Sequence, residues 1–129
     1  MNDTLIQKDT TDKIIKAFYY VYNRLGYGFL EKIYENSMVI TLQKYGCNVT
    51  QQLPIKVYFE GDIVGDYYAD LVVDNCVIVE LKANESITEA YESQLTNYIK
   101  TTNIEVGMLL NFGIKPEFRR KVFTKSIRK

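Results

Sequence analysis

The spacing of apolar positions predicts two helices in the first third of the chain. After the polar start Thr10-Thr11-Asp12, helical spacing joins six apolar side chains: Ile14, Ile15, Phe18, Val21, Tyr22 and Leu25. Gly26 is expected to end this helix. A second helix is expected from about residue 30 to residue 45, followed by Gly46.

The middle of the chain changes to apolar runs that are bounded by turn residues, which is typical of strands. Strands are expected over residues 49–52 and 55–59, with a break at Pro54. Residues 63–73 and 76–83 then predict a long hairpin around the Asp74-Asn75 turn. The remaining expected elements are a helix over residues 88–100, a strand over 106–112 and a last helix that Pro116 opens.

The predicted order of elements is α-α-β-β-β-β-α-β-α. A hairpin sheet followed by a helical crossover to another strand favours a mixed central β-sheet with helices on both faces, so the predicted fold class is α/β. A length of 129 residues and a hydrophobic content of 47% fit one domain over residues 1–129.

Composition excludes several classes of function. The chain has no histidine, which excludes histidine zinc sites, Ser-His-Asp triads and histidine general bases. Cys47 and Cys76 form no CxxC pattern, which predicts a reducing, cytoplasmic setting. No apolar run approaches the roughly 18 residues that a membrane helix needs, and the first residues do not resemble a signal peptide. We therefore expect no membrane association.

Charge is balanced over the whole chain but not along it. There are 16 basic and 16 acidic residues, which argues against nonspecific coating of nucleic acid. Seven basic residues nevertheless follow residue 114, against Glu117 alone: Lys115, Arg119, Arg120, Lys121, Lys125, Arg128 and Lys129. This end of the chain is either a phosphate-binding surface, with Arg119, Arg120 and Lys121 as candidate contacts, or a solvated helix.

Three charged residues occur within the strongly apolar hairpin. Asp70 lies in its first strand, and Glu80 and Lys82 lie two residues apart in its second. Buried strands normally exclude charge, because an unpaired ion away from water is unstable or shifts its pKa. Two carboxylates beside an ammonium suit metal-assisted hydrolysis, since the acids hold a divalent cation and the ammonium orients or deprotonates a water.

The loop of this hairpin decides whether the two acids meet. A two-residue turn at Asp74-Asn75 would place Asp70 and Glu80 on opposite faces of the sheet. A three-residue loop that includes Cys76, or a bulge near the acids, would place them opposite each other. We predict one of these two arrangements, and a regular two-residue hairpin would rule out the metal site.

Two polar residues fall within apolar stripes of predicted helices and are expected to point inward. Glu31 precedes Tyr34, Met38 and Leu42, and Gln94 lies among Tyr91, Leu95 and Tyr98. Each has a simpler explanation, because a first-turn Glu favours the helix dipole and an amide at a core edge bonds to backbone. Together with the hairpin acids, they favour a shared site.

Several motifs carry a resemblance to a known family. Residues 28–34 match the GxxExxY signature, and the Asp-(spacer)-Glu-x-Lys order of residues 70–82 is that of the PD-(D/E)XK nucleases. Residues 94–98 are similar to the QxxxY motif of RecB-like nucleases. The chain thus resembles the GxxExxY protein family of the PD-(D/E)XK superfamily over roughly residues 14–122, including Gln52 and residues 111–113.

This resemblance implies a restriction-endonuclease-like core and a metal-dependent nuclease. Asp70, Glu80, the Leu81 carbonyl and Glu31 would hold Mg²⁺ or Mn²⁺. Lys82 would position or activate the attacking water and stabilise charge on the phosphate.

Other matched residues would contact the substrate or orient the site. Gln94 and Tyr98 would orient the region of Lys82 or contact the substrate backbone, and Gln52 also matches the family. One departure is Tyr22, where many relatives carry His.

The expected partner is nucleic acid, DNA or RNA, with specificity that is low or supplied by a homodimer or a protein partner. The alternative is a module that keeps the nuclease fold for nucleic-acid binding or protein interaction with weak or no catalysis.

Overall fold

The computed structural model describes residues 6–124, and it contains three helices and five strands over that range. Their bounds, in chain order, are α1 Lys8–Leu25, α2 Glu31–Lys44, β1 Val49–Phe59, β2 Asp62–Val73, β3 Val77–Lys82, α3 Glu89–Lys100, β4 Val106–Phe112 and β5 Pro116–Val122. Three residues of the basic end, Lys125, Arg128 and Lys129, lie outside the described residues, as does the start of the chain over residues 1–5.

The strands form one mixed sheet with the order β1-β2-β3-β4-β5. β3 pairs in parallel with β4, and the other neighbours are antiparallel. Helices α1 and α2 pack through Ile14, Phe18 and Met38 onto one face, while Leu95 and Ile99 of α3 pack onto the other. The predicted α/β fold, with helices on both faces of a mixed sheet, is confirmed.

The predicted break at Pro54 is wrong, because β1 runs through it. β1 is an edge strand with β2 as its neighbour, and Pro54 is exposed and pairs with Tyr68. Proline has no backbone N–H to donate, and an edge strand tolerates this because one side of the strand needs no partner.

The predicted last helix is also wrong. Residues from Pro116 form strand β5, which pairs antiparallel with β4 from Phe112↔Pro116 to Val106↔Val122. Phe118 and Val122 pack against the core on the face that α1 covers. Without β5, the fully buried β4 would be an open edge of the sheet. Proline suits the first residue of a strand as well as the first residue of a helix.

The hairpin of β2 and β3 has a three-residue loop, as predicted. Val73 pairs with Val77, so Asp74, Asn75 and Cys76 form the loop. Asp74 and Asn75 adopt φ angles of 52° and 56°, which these residue types tolerate better than most.

No helix in the described part of the chain combines the length and apolar character that crossing a membrane requires.

Candidate active site

The ladder between β2 and β3 stops where the two hairpin acids meet. Its last pair is Leu71↔Val79, and the same register continued by one residue places Asp70 opposite Glu80. There the Asp70 N–H donates to Glu80 Oε2 at 3.0 Å, and the Leu81 N–H donates to Asp70 Oδ2 at 2.9 Å. Carboxylates thus replace the ladder's carbonyl acceptors, and the site lies at this opening in the sheet.

Burial and mutual repulsion disfavour the charged forms of these two acids. Desolvation, followed by the charge of Asp70, raises the pKa of Glu80 to about 7. Desolvation also raises the pKa of Asp70, against the hydrogen bonds from Leu81 and Gln52 that favour its carboxylate. A pair of this kind gains from binding a proton or a cation.

A tyrosine hydroxyl lies beside Glu80. The Tyr67 hydroxyl is buried and faces the Glu80 carboxylate. Burial and the neighbouring Glu80 carboxylate raise the pKa of Tyr67. Its ring stacks on Tyr98 at a centroid distance of 3.3 Å and an interplanar angle of 6°. Tyr98 is thereby linked to the acids through Tyr67.

A buried carboxylate of α2 forms the opposite side of the site. Glu35 is 5% exposed and accepts hydrogen bonds from Lys32 Nζ at 2.9 Å and Gln51 Nε2 at 2.8 Å. Gln52 Nε2 donates to Glu35 Oε1 at 2.9 Å and to Asp70 Oδ1 at 3.2 Å. The Gln52 amide therefore joins the helix acid to the hairpin acids.

Gln52 has an unusual backbone conformation for a strand residue. Its φ is 51°, and regular pairs flank it at Gln51↔Leu71 and Leu53↔Ala69. A non-glycine residue in this region is strained and persists only where its surroundings hold it in place. Here the two carboxylates that Gln52 bridges provide that restraint.

Lys82 ends β3 and turns toward the helix that follows. Its Nζ lies 4.7 Å from the centroid of the Tyr91 ring. Among the ion pairs of the described residues, none joins Lys82 to Asp70 or Glu80. The ammonium thus lies near the acids without being paired to them.

The sequence model of the PD-(D/E)XK nuclease superfamily matches residues 8–121. The chain belongs to this superfamily. The narrower resemblance to the GxxExxY family stays a prediction.

A solved structure supports the fold independently. The chain is similar to the crystal structure of an alkaline exonuclease from Laribacter hongkongensis, with a TM-score of 0.53 and 11% sequence identity. The similarity covers 75% of this chain and 58% of the exonuclease, so the chain spans little more than half of that protein. At this identity the likeness shows the fold alone. No curated protein matches the chain in sequence.

The expectation that Glu31 points inward is wrong. Glu31 is the first residue of α2 and is exposed, and the buried stripe of this helix begins at Tyr34 and Glu35. The acid of α2 that reaches Asp70 through Gln52 is instead Glu35, which sequence reasoning missed. Glu35 precedes Met38 by three and Leu42 by seven residues on the same stripe as Glu31, so the spacing marks both acids without choosing between them.

The tyrosine of the matched GxxExxY segment is structural. Tyr34 is fully buried, stacks on Phe112 at 4.2 Å and donates its hydroxyl to the Gly26 carbonyl at 2.6 Å. The Phe29 N–H donates to the same hydroxyl at 3.2 Å. Tyr34 therefore fixes the connection between α1 and α2.

Gln94 is exposed, so its predicted inward orientation is also wrong. The buried line of α3 runs through Leu95 and Ile99, and Gln94 lies one position away around the helix. Tyr98 is half-buried and contacts Tyr67, as described above.

The basic candidates on β5 already have partners. Arg119 Nε lies 3.9 Å and Lys121 Nζ 2.5 Å from the Glu92 carboxylate of α3. Arg120 donates to the Ile6 carbonyl on the other side of the strand. Their phosphate-binding role stays a prediction.

Tyr22, at the position where many relatives carry His, supports the loop between β4 and β5. Its hydroxyl lies 2.8 Å from the Gly113 carbonyl and 2.6 Å from the Ile114 carbonyl, so one proton is shared between two acceptors. Its ring stacks on Phe112 at 6.5 Å. In this chain the position has a structural contact.

The donor set at Asp70 and Glu80 fits a hard divalent cation. Asp70 and Glu80 offer carboxylate oxygens, the ligand type that Mg²⁺ and Mn²⁺ prefer. No group of three or more acidic, histidine or cysteine side chains within residues 6–124 is arranged to hold a metal. Water and backbone oxygen would complete the coordination, which agrees with the reluctance of Mg²⁺ to lose its water.

Proposed function

We propose that this chain is a metal-dependent nuclease that hydrolyses phosphodiester bonds of nucleic acid, with Mg²⁺ or Mn²⁺ as cofactor. The observation that carries the proposal is the meeting of Asp70 and Glu80 at the opening between β2 and β3. Two desolvated carboxylates with raised pKa values are unfavourable alone, and a divalent cation compensates them.

Asp70 and Glu80 would hold the cation, and the Leu81 carbonyl is the proposed backbone ligand. The bound cation would supply a nucleophilic water and stabilise the charge of the reacting phosphate. The Leu81 N–H and the Gln52 amide hold the Asp70 carboxylate in place. This restraint matters because small displacements of a reacting group are costly in rate.

Lys82 would act on the phosphate as a charge-stabilising group and would position the attacking water. Its place two residues after Glu80 puts both side chains on one face of β3, about 7 Å apart along the strand. An ammonium that is not paired with either acid remains available for a phosphate oxygen.

We assign the helix acid of the site to Glu35 rather than to the exposed Glu31. Glu35 is buried and reaches Asp70 through Gln52, which we propose as a positioning residue. Tyr98 would support Tyr67 beside Glu80. The exposed Gln94 would contact the substrate backbone.

We further propose one nuclease-like domain over residues 1–129 that acts in a reducing cytoplasm. The described cysteines, Cys47 and Cys76, are free thiols. Arg119, Arg120 and Lys121 would contact DNA or RNA phosphates at the edge of the sheet. Specificity would be low, or would come from a homodimer or a protein partner.

A cleavage assay tests the proposal. A panel of DNA and RNA substrates is incubated with Mn²⁺ or Mg²⁺ and the wild type, Asp70→Asn, Lys82→Ala or the matched control Asp66→Asn. Asp66 is exposed on the same strand and pairs with Lys56 at 3.5 Å. We expect cleavage by the wild type to depend on the metal. The rate should fall at least about a hundredfold in Asp70→Asn and Lys82→Ala, as for loss of a strong electrostatic contribution. It should stay unchanged in Asp66→Asn.

Cleavage that survives both site substitutions or excess chelator would contradict the proposed mechanism. Metal binding without cleavage of any substrate would favour the non-catalytic nucleic-acid-binding module.

A further inference from the structure

The loop between β3 and α3 folds back over Lys82. Two residues beyond Lys82, Asn84 Nδ2 donates to the Tyr91 hydroxyl at 3.1 Å. The face of the same Tyr91 ring lies 4.7 Å from Lys82 Nζ. This separation is within the range of a cation–π interaction, which strengthens where the ring and the cation are partly desolvated. Both Lys82 and Tyr91 are half-buried.

Tyr91 and Asn84 are both fixed to the rest of the fold through their backbones. The Tyr91 N–H lies in the first turn of α3 and is held by Thr88, through its carbonyl at 3.1 Å and its hydroxyl at 3.2 Å. Asn111, fully buried on β4, accepts from the Asn84 N–H and donates to the Asn84 carbonyl, both at 3.0 Å. Tyr91 is therefore held both at its backbone and at its hydroxyl.

A lysine in this place has a competing partner. Lys82 follows Glu80 by two residues on the same strand face, and opposite charges at such a distance attract, most strongly where water is partly excluded. An ion pair with Glu80 would occupy the carboxylate that the proposed cation needs. It would also remove the ammonium from the phosphate. The structure contains the cation–π contact instead of that ion pair.

We infer that Tyr91 is a positioning residue that holds the Lys82 ammonium away from Asp70 and Glu80. The two carboxylates thus stay available for a divalent cation, and the ammonium stays available for a phosphate. The inference deepens the proposed function and rests on it. Asn84 contributes by anchoring the Tyr91 hydroxyl, and Asn111 contributes by anchoring Asn84.

Mn²⁺ affinity is the first measurement, because it does not depend on cleavage. Calorimetric titration compares the wild type with Tyr91→Leu, Tyr91→Phe and the matched control Tyr45→Leu. The control removes an equivalent contact elsewhere, since Lys16 Nζ lies 4.9 Å from the Tyr45 ring. We expect Tyr91→Leu to weaken Mn²⁺ binding roughly tenfold, within the range of a partly buried cation–π contact. Tyr91→Phe keeps the ring but loses the hydroxyl that Asn84 holds, so it should weaken binding less than Tyr91→Leu does, and Tyr45→Leu should match the wild type.

A double-mutant cycle separates positioning from a general structural effect. If Tyr91 acts through Lys82, then Tyr91→Leu should cause no further loss of Mn²⁺ affinity once Lys82 is replaced by alanine. An equal loss in both backgrounds would overturn the inference.

Asn84→Ala keeps the ring and the helix intact, so it gives a second test if Tyr91→Leu unfolds. It should weaken binding in the same direction, and unchanged binding would contradict the proposed anchor.

Cleavage rates of the same variants distinguish this inference from the proposed function. A fall in kcat with Tyr91→Leu, at saturating Mn²⁺ and unchanged KM, supports the positioning of Lys82. If the wild type cleaves its substrate and Tyr91→Leu binds Mn²⁺ as tightly as the wild type does, the inference is overturned and the nuclease proposal stays intact. A wild type that binds no Mn²⁺ overturns both.

Discussion

At the scale of single residues, the site is an unfavourable arrangement of charge that the fold maintains. Glu80 lies in a partly desolvated position next to a second carboxylate, and its pKa is raised from 4.5 to about 7. In the folded chain this group binds a proton over a pH range in which it is ionised in the unfolded chain. By linkage, the protonated Glu80 side chain contributes stability at low pH, and this contribution is lost as the pH rises through about 7.

Glu80→Gln should therefore stabilise the metal-free protein at pH 8. The amide keeps an oxygen that accepts from the Asp70 N–H and carries no charge. We expect a gain in the free energy of unfolding on the order of 2–3 kcal/mol at pH 8, with little difference from the wild type at pH 4.5. Urea denaturation in chelator at the two pH values measures it.

Glu60→Gln is the control for this prediction, because Glu60 is exposed in the turn of the β1–β2 hairpin. It should change stability little at either pH. A Glu80→Gln variant that is no more stable than the wild type at pH 8 would show that Glu80 is not destabilised by its surroundings.

At this scale the hairpin residues could be predicted and their helix partner could not. Asp70, Glu80 and Lys82 stand out because charge interrupts apolar strands, and period-2 geometry fixes their faces once the loop length is known. Glu31 and Glu35 lie on the same helical stripe, so spacing alone does not say which one is buried. That depends on where α2 begins relative to the sheet.

At the scale of elements, the ends of β3 and β4 are joined by a tight contact between loops. A Cβ on Gly113, one residue after β4, would lie 2.4 Å from the Asn84 carbonyl oxygen, which is backbone held by Asn111. A Cβ on Gly107, within β4, would lie 2.7 Å from Ile99 Cδ1 and 2.9 Å from Leu95 Cδ1, which are ends of side chains. A side chain at position 113 would therefore have to displace backbone, whereas one at position 107 would displace only the ends of side chains.

Gly113→Ala should lower the free energy of unfolding by about 1–3 kcal/mol or more, as expected for overpacking against a fixed backbone. Gly107→Ala serves as the comparison and should be less damaging, because side-chain rotation relieves its contact. Urea denaturation ranks the two, and a reversed order would contradict the rigid position of Asn84.

The two errors in element prediction have a common cause. Local preference predicts a strand break at Pro54 and a helix start at Pro116. Each in fact lies at a position where a sheet tolerates a missing N–H: Pro54 on the edge strand β1, and Pro116 at the first residue of β5. Their context is set by the place of each strand in the sheet, since β1 has a neighbour on one side only and Pro116 opens the strand that pairs with β4. Local residue preference does not specify that place.

At the scale of the whole molecule, the charge distribution predicts weak and local attraction to nucleic acid. The chain has no net formal charge, and Arg119 and Lys121 on β5 lie near Glu92. A nucleic-acid complex should then neutralise few phosphates. The dependence of affinity on salt reports that number directly.

We expect affinity for a DNA or RNA oligonucleotide to fall less than roughly a hundredfold between about 50 and 200 mM salt, as for a few phosphate contacts. Fluorescence anisotropy of Asp70→Asn, which keeps the substrate intact, measures this slope. Lys121→Ala should flatten it if β5 contacts phosphate. A slope as steep as that of a strongly basic binding protein would contradict the prediction.

The three-residue loop of the β2–β3 hairpin also bears on the order in which the chain assembles. Asp70 and Glu80 are separated by ten positions, so the hairpin brings them together through local contacts, which form quickly. Glu35 and Gln52 come from more distant parts of the chain. The repulsion between Asp70 and Glu80 therefore arises as soon as the hairpin forms. A proton or a divalent cation bound between these two acids would favour formation of the hairpin as well as stabilise the folded site.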